Sequence, residues 1–165
     1  MRGLSGHAPN PPAASIAEIE EARRLIEAAS RDRDSAQQAL QRSEATLRSL
    51  FEQLPDAVVL ADPERRITLV NPAFTRLFGY EPHEVLGRTT ELMYADAADY
   101  ARTGRTRFKA DGQVDEDYYE LRYRRRDGSE FWGESAGRRI VLPGGDLFGL
   151  LGVHRDVTAR REAHE

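Results

Sequence analysis

Between Ser15 and Leu54 the chain carries no glycine or proline, and its apolar residues return every three or four positions. Ala, Glu, Arg, Gln and Leu dominate this stretch, residue types that lose little conformational freedom in a helix. Written as heptads, Ile19, Ile26, Arg33, Leu40, Leu47 and Leu54 fall at one core position. Ala22, Ala29, Ala36, Ser43 and Leu50 fall at the other, with Arg33 and Ser43 as the defects of the seam. The pattern predicts one helix over 15–54, roughly 60 Å long, whose apolar stripe is too long for one small domain to cover. A parallel two-stranded coiled coil is the expected answer, with Ile19, Ile26, Leu40, Leu47, Leu50 and Leu54 as the dimer seam. A four-helix arrangement and a lone amphipathic helix folded back over the domain are the alternatives.

Beyond Leu54 the period switches to two. "AVVLAD" (Ala57 to Asp62) and "RITLVN" (Arg66 to Asn71) read as short strands joined by a turn at "DPER". "NPAFTRLFGY" then opens a helix, with Asn71 as N-cap, Pro72 in the first turn and Gly79 as terminator. "EPHEVLGR" repeats the device between Pro82 and Gly87, and "TTELMYADAADYARTGR" reads as a turn and a short helix ending at Gly104. Three more strands follow: "DYYELRYRRR" up to the Asp127–Gly128 turn, "SEFWGESAGRRIVL" up to "PGGD", and "LFGLLGVHRDV". The expected fold class is α+β, a five-stranded antiparallel sheet with short helices on one face over 55–158. Residues 159–165 begin a further helix, and 1–14, rich in proline and glycine, read as a disordered leader.

The last strand is apolar on both faces, with Phe148, Leu150, Gly152 and His154 on one and Leu147, Gly149, Leu151 and Val153 on the other. A strand of this kind is expected to be covered on both sides. The short helices supply one cover, and the N-terminal helix, the chain's own or a partner's, is the expected second.

Composition removes several classes of chemistry. The 165 residues include no cysteine, which excludes disulfides, thiolate metal sites and cysteine nucleophiles. A net charge of −4 argues against nucleic acid as the main partner. No apolar run approaches the roughly 18 residues of a membrane span, and no secretory h-region opens the chain, so a cytoplasmic location is expected. There is no P-loop, nucleophile elbow or H-E-x-x-H, so an enzyme is not expected. The basic run Arg122, Arg124, Arg125 and Arg126 reads as an outer sheet face paired to Glu120, Glu134 and neighbours.

"LPDAVVLAD", "ITLVNPAFTRLFGYEPHEVLGR", "RRRDGSEFWGE" and the closing "GVHRDVTARRE" together resemble the PAS domains of bacterial sensors. The last of these matches the D-[IV]-T strand-to-helix junction of that family. The resemblance covers about Glu44 to Ala159, and it implies a sheet curled around a small pocket. The pocket residues it implies are Phe74, Phe78, Leu92, Met93 and Tyr100 from the helices, with Leu77, Val85 and Leu86 beside them. From the strands come Tyr119, Leu121, Tyr123, Phe131, Gly133, Ser135, Phe148, Leu150, Gly152 and His154. Gly133 and Gly152 leave space where a side chain would stand. Trp132, Asp156 and Thr158 are the implied signal relay toward an output helix, which in this family feeds a histidine kinase or a diguanylate cyclase.

The implied cofactors are narrowed by the same residues. The "GVH" at Gly152–His154 sits where light-oxygen-voltage flavin domains carry "GVQ", but their photoreactive cysteine is absent, which excludes cysteinyl-flavin photochemistry. Haem is disfavoured, because "ADAADYARTG" carries no histidine and only His154 or Tyr94 could serve as ligand. The cofactor or ligand is otherwise unknown. Two readings stay open: a homodimeric sensor relaying pocket occupancy to an effector, and a ligand-free PAS used only to dimerise or dock a partner.

Overall fold

The computed structural model describes residues 12–107 and 118–165. The chain divides into two compact units, one up to Leu47 and one from Arg48 onward. Residues 1–11 of the expected leader lie outside the described residues, and residues 12–15 have no regular structure.

The helix α1 (Ile16–Gln53) opens with a reciprocal cap. The Glu18 amide donates to Ser15 Oγ at 3.2 Å while the Ser15 amide donates to Glu18 Oε2 at 2.7 Å. No side chain of α1 is buried. Ile19, Ile26, Leu40 and Leu47 in the first unit, and Leu50 and Leu54 in the second, all stand exposed within the single chain.

The second unit contains β1 (Ala57–Ala61), β2 (Ile67–Val70), α2 (Pro72–Phe78), α3 (Pro82–Val85), a 3-10 turn (Thr90–Met93) and α4 (Ala97–Arg107), followed by β3 (Tyr119–Arg124), β4 (Glu130–Val141), β5 (Leu147–Asp156) and α5 (Thr158–Glu162). The strands form one antiparallel sheet in the order β2-β1-β5-β4-β3. The last strand in the chain is therefore the central one. It pairs from Leu150 to His154 with Ala61 to Ala57, and along its length with Gly133 to Val141. Phe74 and Phe78 of α2 pack on this sheet with Ile67, Val85, Met93, Tyr123 and Phe131, all buried. The Phe78 ring meets Phe131 at 5.4 Å and Tyr123 at 6.0 Å, both edge-on.

Asn71 is the polar knot of this core. Its side-chain oxygen caps α2 by accepting the Phe74 amide at 3.1 Å, and also accepts the Val58 amide at 2.8 Å. Its Nδ2 donates to the carbonyls of Asp56 at 3.0 Å and Phe51 at 3.4 Å. One buried side chain thus ties the end of α1, the start of β1 and the start of α2.

Two expectations are corrected. The helix expected to end at Gly104 continues to Arg107. There a side-chain carbon at Gly104 would stand 2.8 Å from Arg65 Nη1, so the glycine serves helix packing and not termination. The arginine run is not paired to Glu120 and Glu134. Arg122 bonds Glu130, Arg125 bonds Asp156 and Arg126 bonds Glu84, while Glu120 and Glu134 receive Arg160 of α5. Within the single chain, Leu151 and Val153 on the outer face of β5 are half-buried.

Asn71→Ala is expected to lower stability by about 2–3 kcal/mol in urea unfolding, since it strands the buried Val58 amide and removes a cap. Asn71→Asp, which keeps the acceptor but loses the Nδ2 donors, should also destabilise, because a buried charge replaces a neutral amide.

Candidate functional site

The inward face of β5 carries Leu150, Gly152 and His154 in alternate positions. Over them lies a cavity of about 40 Å³, walled by Val59 and Ala61 of β1, Arg65 of the β1–β2 turn, Thr90, Met93 and Tyr94, and Tyr119 of β3. At about 10–15 Å³ per water-sized sphere, it takes a few waters or a molecule of a few heavy atoms. The pocket of a drug-sized ligand starts at roughly 300 Å³. A flavin or haem has no room in it.

His154 is buried, and its Nδ1 lies 2.7 Å from Ser135 Oγ, which lies 2.7 Å from the Tyr123 hydroxyl. The sheet sets this chain of contacts directly, since Ser135 is the β4 partner of His154 in the ladder. Tyr123 reaches Ser135 because Gly133 offers no side chain: a carbon there would meet the Tyr123 ring at 2.5 Å. The Phe78 ring stands edge-on to the imidazole at 5.8 Å. On its other side the ring turns Nε2 toward Gly152, where a side-chain carbon would lie 3.0 Å away, and both residues face the cavity.

Burial pushes the His154 imidazole down to about 4, so it is neutral near pH 7. Burial also pushes the Tyr123 and Tyr94 phenols up, so both keep their protons. A neutral imidazole carries one ring proton. When Tyr123 donates to Ser135 and Ser135 to Nδ1, every hydroxyl proton is used within the chain of contacts, and Nε2–H is left as a donor facing the cavity. Reversing the order turns Nε2 into an acceptor and obliges Tyr123 to donate elsewhere.

Arg65 forms a second polar wall. It adopts φ 64°, the left-handed region, at the end of the β1–β2 turn. This conformation sends its side chain inward to donate to the Tyr100 carbonyl at 2.7 Å and the Tyr94 hydroxyl at 3.1 Å. The guanidinium lies 3.7 Å over the Tyr100 ring, a cation–π contact.

Two residues past His154, on the same face of β5, Asp156 leaves the sheet. Its Oδ2 accepts from Arg125 at 2.8 Å and its Oδ1 from the Thr158 amide at 2.9 Å. Arg125 also donates to the Leu77 carbonyl at 3.0 Å and lies over the Phe131 ring. Trp132 closes the junction from β4: its amide donates to Thr158 Oγ1 at 3.0 Å, and its carbonyl accepts the Val157 amide at 2.8 Å. Arg160 and Arg161 of α5 bond Glu120 at 2.7 and 2.6 Å, and Arg161 stacks on the indole at 3.9 Å.

Of the pocket residues expected from the sequence, Met93, Tyr119, Leu150, Gly152 and His154 meet at the cavity. Phe74, Phe78, Tyr123, Phe131 and Ser135 lie in the filled core beside it. Leu77, Leu92, Tyr100 and Leu121 pack half-buried against that core, and Val85 is buried within it. Gly133 makes no hollow, since Tyr123 fills its space. Leu86 and Phe148 are exposed and do not line this cavity. Arg65, Thr90, Val59 and Ala61 join the lining without a sequence signal, and Tyr94, which the sequence offers only as a candidate haem ligand, lines it too. Among the described residues, no group of three or more His, Asp or Glu side chains converges as a metal site.

The PAS domain family model matches residues 55–159, and the chain belongs to that family. The domain is a sensory module and not itself catalytic. The chain is 30% identical over 133 residues to the C4-dicarboxylate transport sensor protein DctS of Rhodobacter capsulatus, covering 79% of this chain and 20% of that one. It is 28% identical to the methanogenesis regulatory histidine kinase FilI of Methanothrix harundinacea, covering 79% of this chain and 14% of that one. Among solved structures, the PAS domain of an HTR-like protein from Haloarcula marismortui matches with TM-score 0.62 and 31% identity, over 74% of this chain and 98% of that one. The chain thus spans a fifth or less of the length of these two curated relatives. No helix among the described residues is long and apolar enough to cross a membrane.

The depressed His154 value has a direct consequence for stability. An unfolded histidine binds a proton near pH 6.5, whereas the folded one refuses it until about pH 4. Acidification over that window favours the unfolded chain, by about 3 kcal/mol in total. Urea unfolding of the parent should weaken from pH 7 to 4.5 more steeply than that of His154→Gln. Parallel pH profiles would show that His154 is not held neutral.

Proposed function

We propose that this PAS domain is a cytoplasmic sensory module of a histidine-kinase-type pathway, homodimeric through the seam on α1. In this reading the cavity takes a small polar molecule, which His154 and Arg65 contact. The observation that carries it is the position of Gly152, His154 and Asp156 on one face of the central strand, so that cavity and output junction share a single rigid element. An occupant that accepts from Nε2–H favours one order of the Tyr123–Ser135–His154 contacts, and one that donates favours the other. The difference in affinity for the two arrangements is the free energy available for signalling. Asp156, Thr158 and Trp132 then pass the displacement to α5.

Several observations support the reading. The seam side chains Ile19, Ile26, Leu40, Leu47 and Leu50 are more than half exposed and need a partner. The relatives named above are a sensor protein and a histidine kinase. The ligand-free alternative draws on one fact, the 40 Å³ size of the cavity, and native mass spectrometry separates the two. A small bound mass lost in Gly152→Val would support sensing; the unliganded mass alone would support the docking role.

The relay is tested in a chimera in which this chain replaces the PAS segment of a histidine kinase. Asp156→Ala should change autophosphorylation several-fold while the thermal midpoint moves little, because the Arg125 pair is partly exposed and contributes only about 1 kcal/mol. Unaltered kinase output with the junction bonds removed would refute the relay.

A further inference from the structure

A groove of about 660 Å³ is lined by Arg66, Arg88, Arg124, Arg125 and Arg126, with Glu91 as the one carboxylate among its lining residues. Arg125 and Arg126 are ion-paired, to Asp156 and Glu84. Among the described residues, the guanidinium groups of the other three bond only to main-chain carbonyls. Arg66 Nη1 donates to Gly87 at 3.2 Å, Arg88 Nη1 to Glu84 at 3.4 Å, and Arg124 Nη2 to Tyr94 and Ala95 at 3.0 Å each. A carbonyl carries no net charge, so three exposed guanidinium groups from three different segments stand at one groove without a carboxylate partner among the described residues. The chain as a whole is acidic, at −4, which makes the concentration local and specific.

We propose that this groove binds a small molecule bearing two or more adjacent phosphates, of the nucleoside diphosphate class. Guanidinium forks match phosphate oxygens bidentately, and a diphosphate carries enough charge to satisfy several of them at once, which a lone carboxylate does not. The groove's volume falls in the range of small-ligand sites, roughly 300–1,000 Å³. Its wall continues past the arginines to the half-buried Tyr80 and Leu92, an apolar surface for a base. The site is separate from the His154 cavity, and its existence does not depend on the sensing role assigned there.

Calorimetric titration of the whole chain with ADP tests it, with inorganic pyrophosphate as competitor. Saturable binding is expected, displaced by pyrophosphate, reduced by added salt, and about ten-fold weaker in either Arg66→Gln or Arg88→Gln, each of which removes one charge-assisted contact. Both side chains are exposed, and circular dichroism of the variants checks that the fold is kept. Absence of saturable binding, or ADP affinity unchanged in the double variant, overturns the proposal. Tighter binding of poly-L-glutamate than of ADP overturns it as well, and assigns the groove to an acidic protein segment.

Discussion

Two ladders of main-chain hydrogen bonds meet on one strand. β5 is bonded to β1 on one side and β4 on the other, and β2 and β3 join the sheet through those two neighbours. An edge strand can slip or fray at the expense of one ladder, whereas a central one must break two. Displacements of β5 therefore travel along its length instead of being absorbed locally. Period-two alternation then places Gly152, His154 and Asp156 in a row on the inner face, the first two at the cavity and the third at the exit.

The polar groups of the interior make this arrangement specific. A core of Phe74, Phe78, Phe131 and Val85 would tolerate several packings, because apolar contacts have little directionality. Asn71 and the Tyr123–Ser135–His154 contacts tolerate few, since each buried donor or acceptor left unmet costs about 1–3 kcal/mol. They also connect different strands and helices, so satisfying them sets the register of β4 against β5 and the seating of α2 on β1.

The sheet and its helices were legible because local signals and tertiary structure agree. Asp127–Gly128 turns with Gly128 at φ 87°, Asn71–Pro72 opens α2, and Gly79 closes it at φ 81°. The site was legible on β5, where alternation decides which way a residue points, and through the family resemblance at Met93 and Tyr119. Arg65 was missed because "DPERR" has the composition of a solvated turn, and only a left-handed backbone at one residue sends that side chain inward. Gly133 was misjudged for a related reason: a missing side chain is visible in a sequence, but the ring that fills its place comes from another strand. Phe148 shares a face with Leu150, yet it lies beyond the reach of the covering helices and is 53% exposed. Alternation assigns sides; it does not say how far a cover extends.

Trp132 is the chain's one tryptophan, and it sits at the strand-to-helix junction under the Arg161 guanidinium. Excited at the red edge of its absorption, where the six tyrosines no longer absorb, this domain therefore emits from a single place, the seat of α5. Lifting that helix would strip a cation from the indole face and admit solvent in its stead, altering the colour and intensity of the glow. The molecule carries its own optical gauge of the joint.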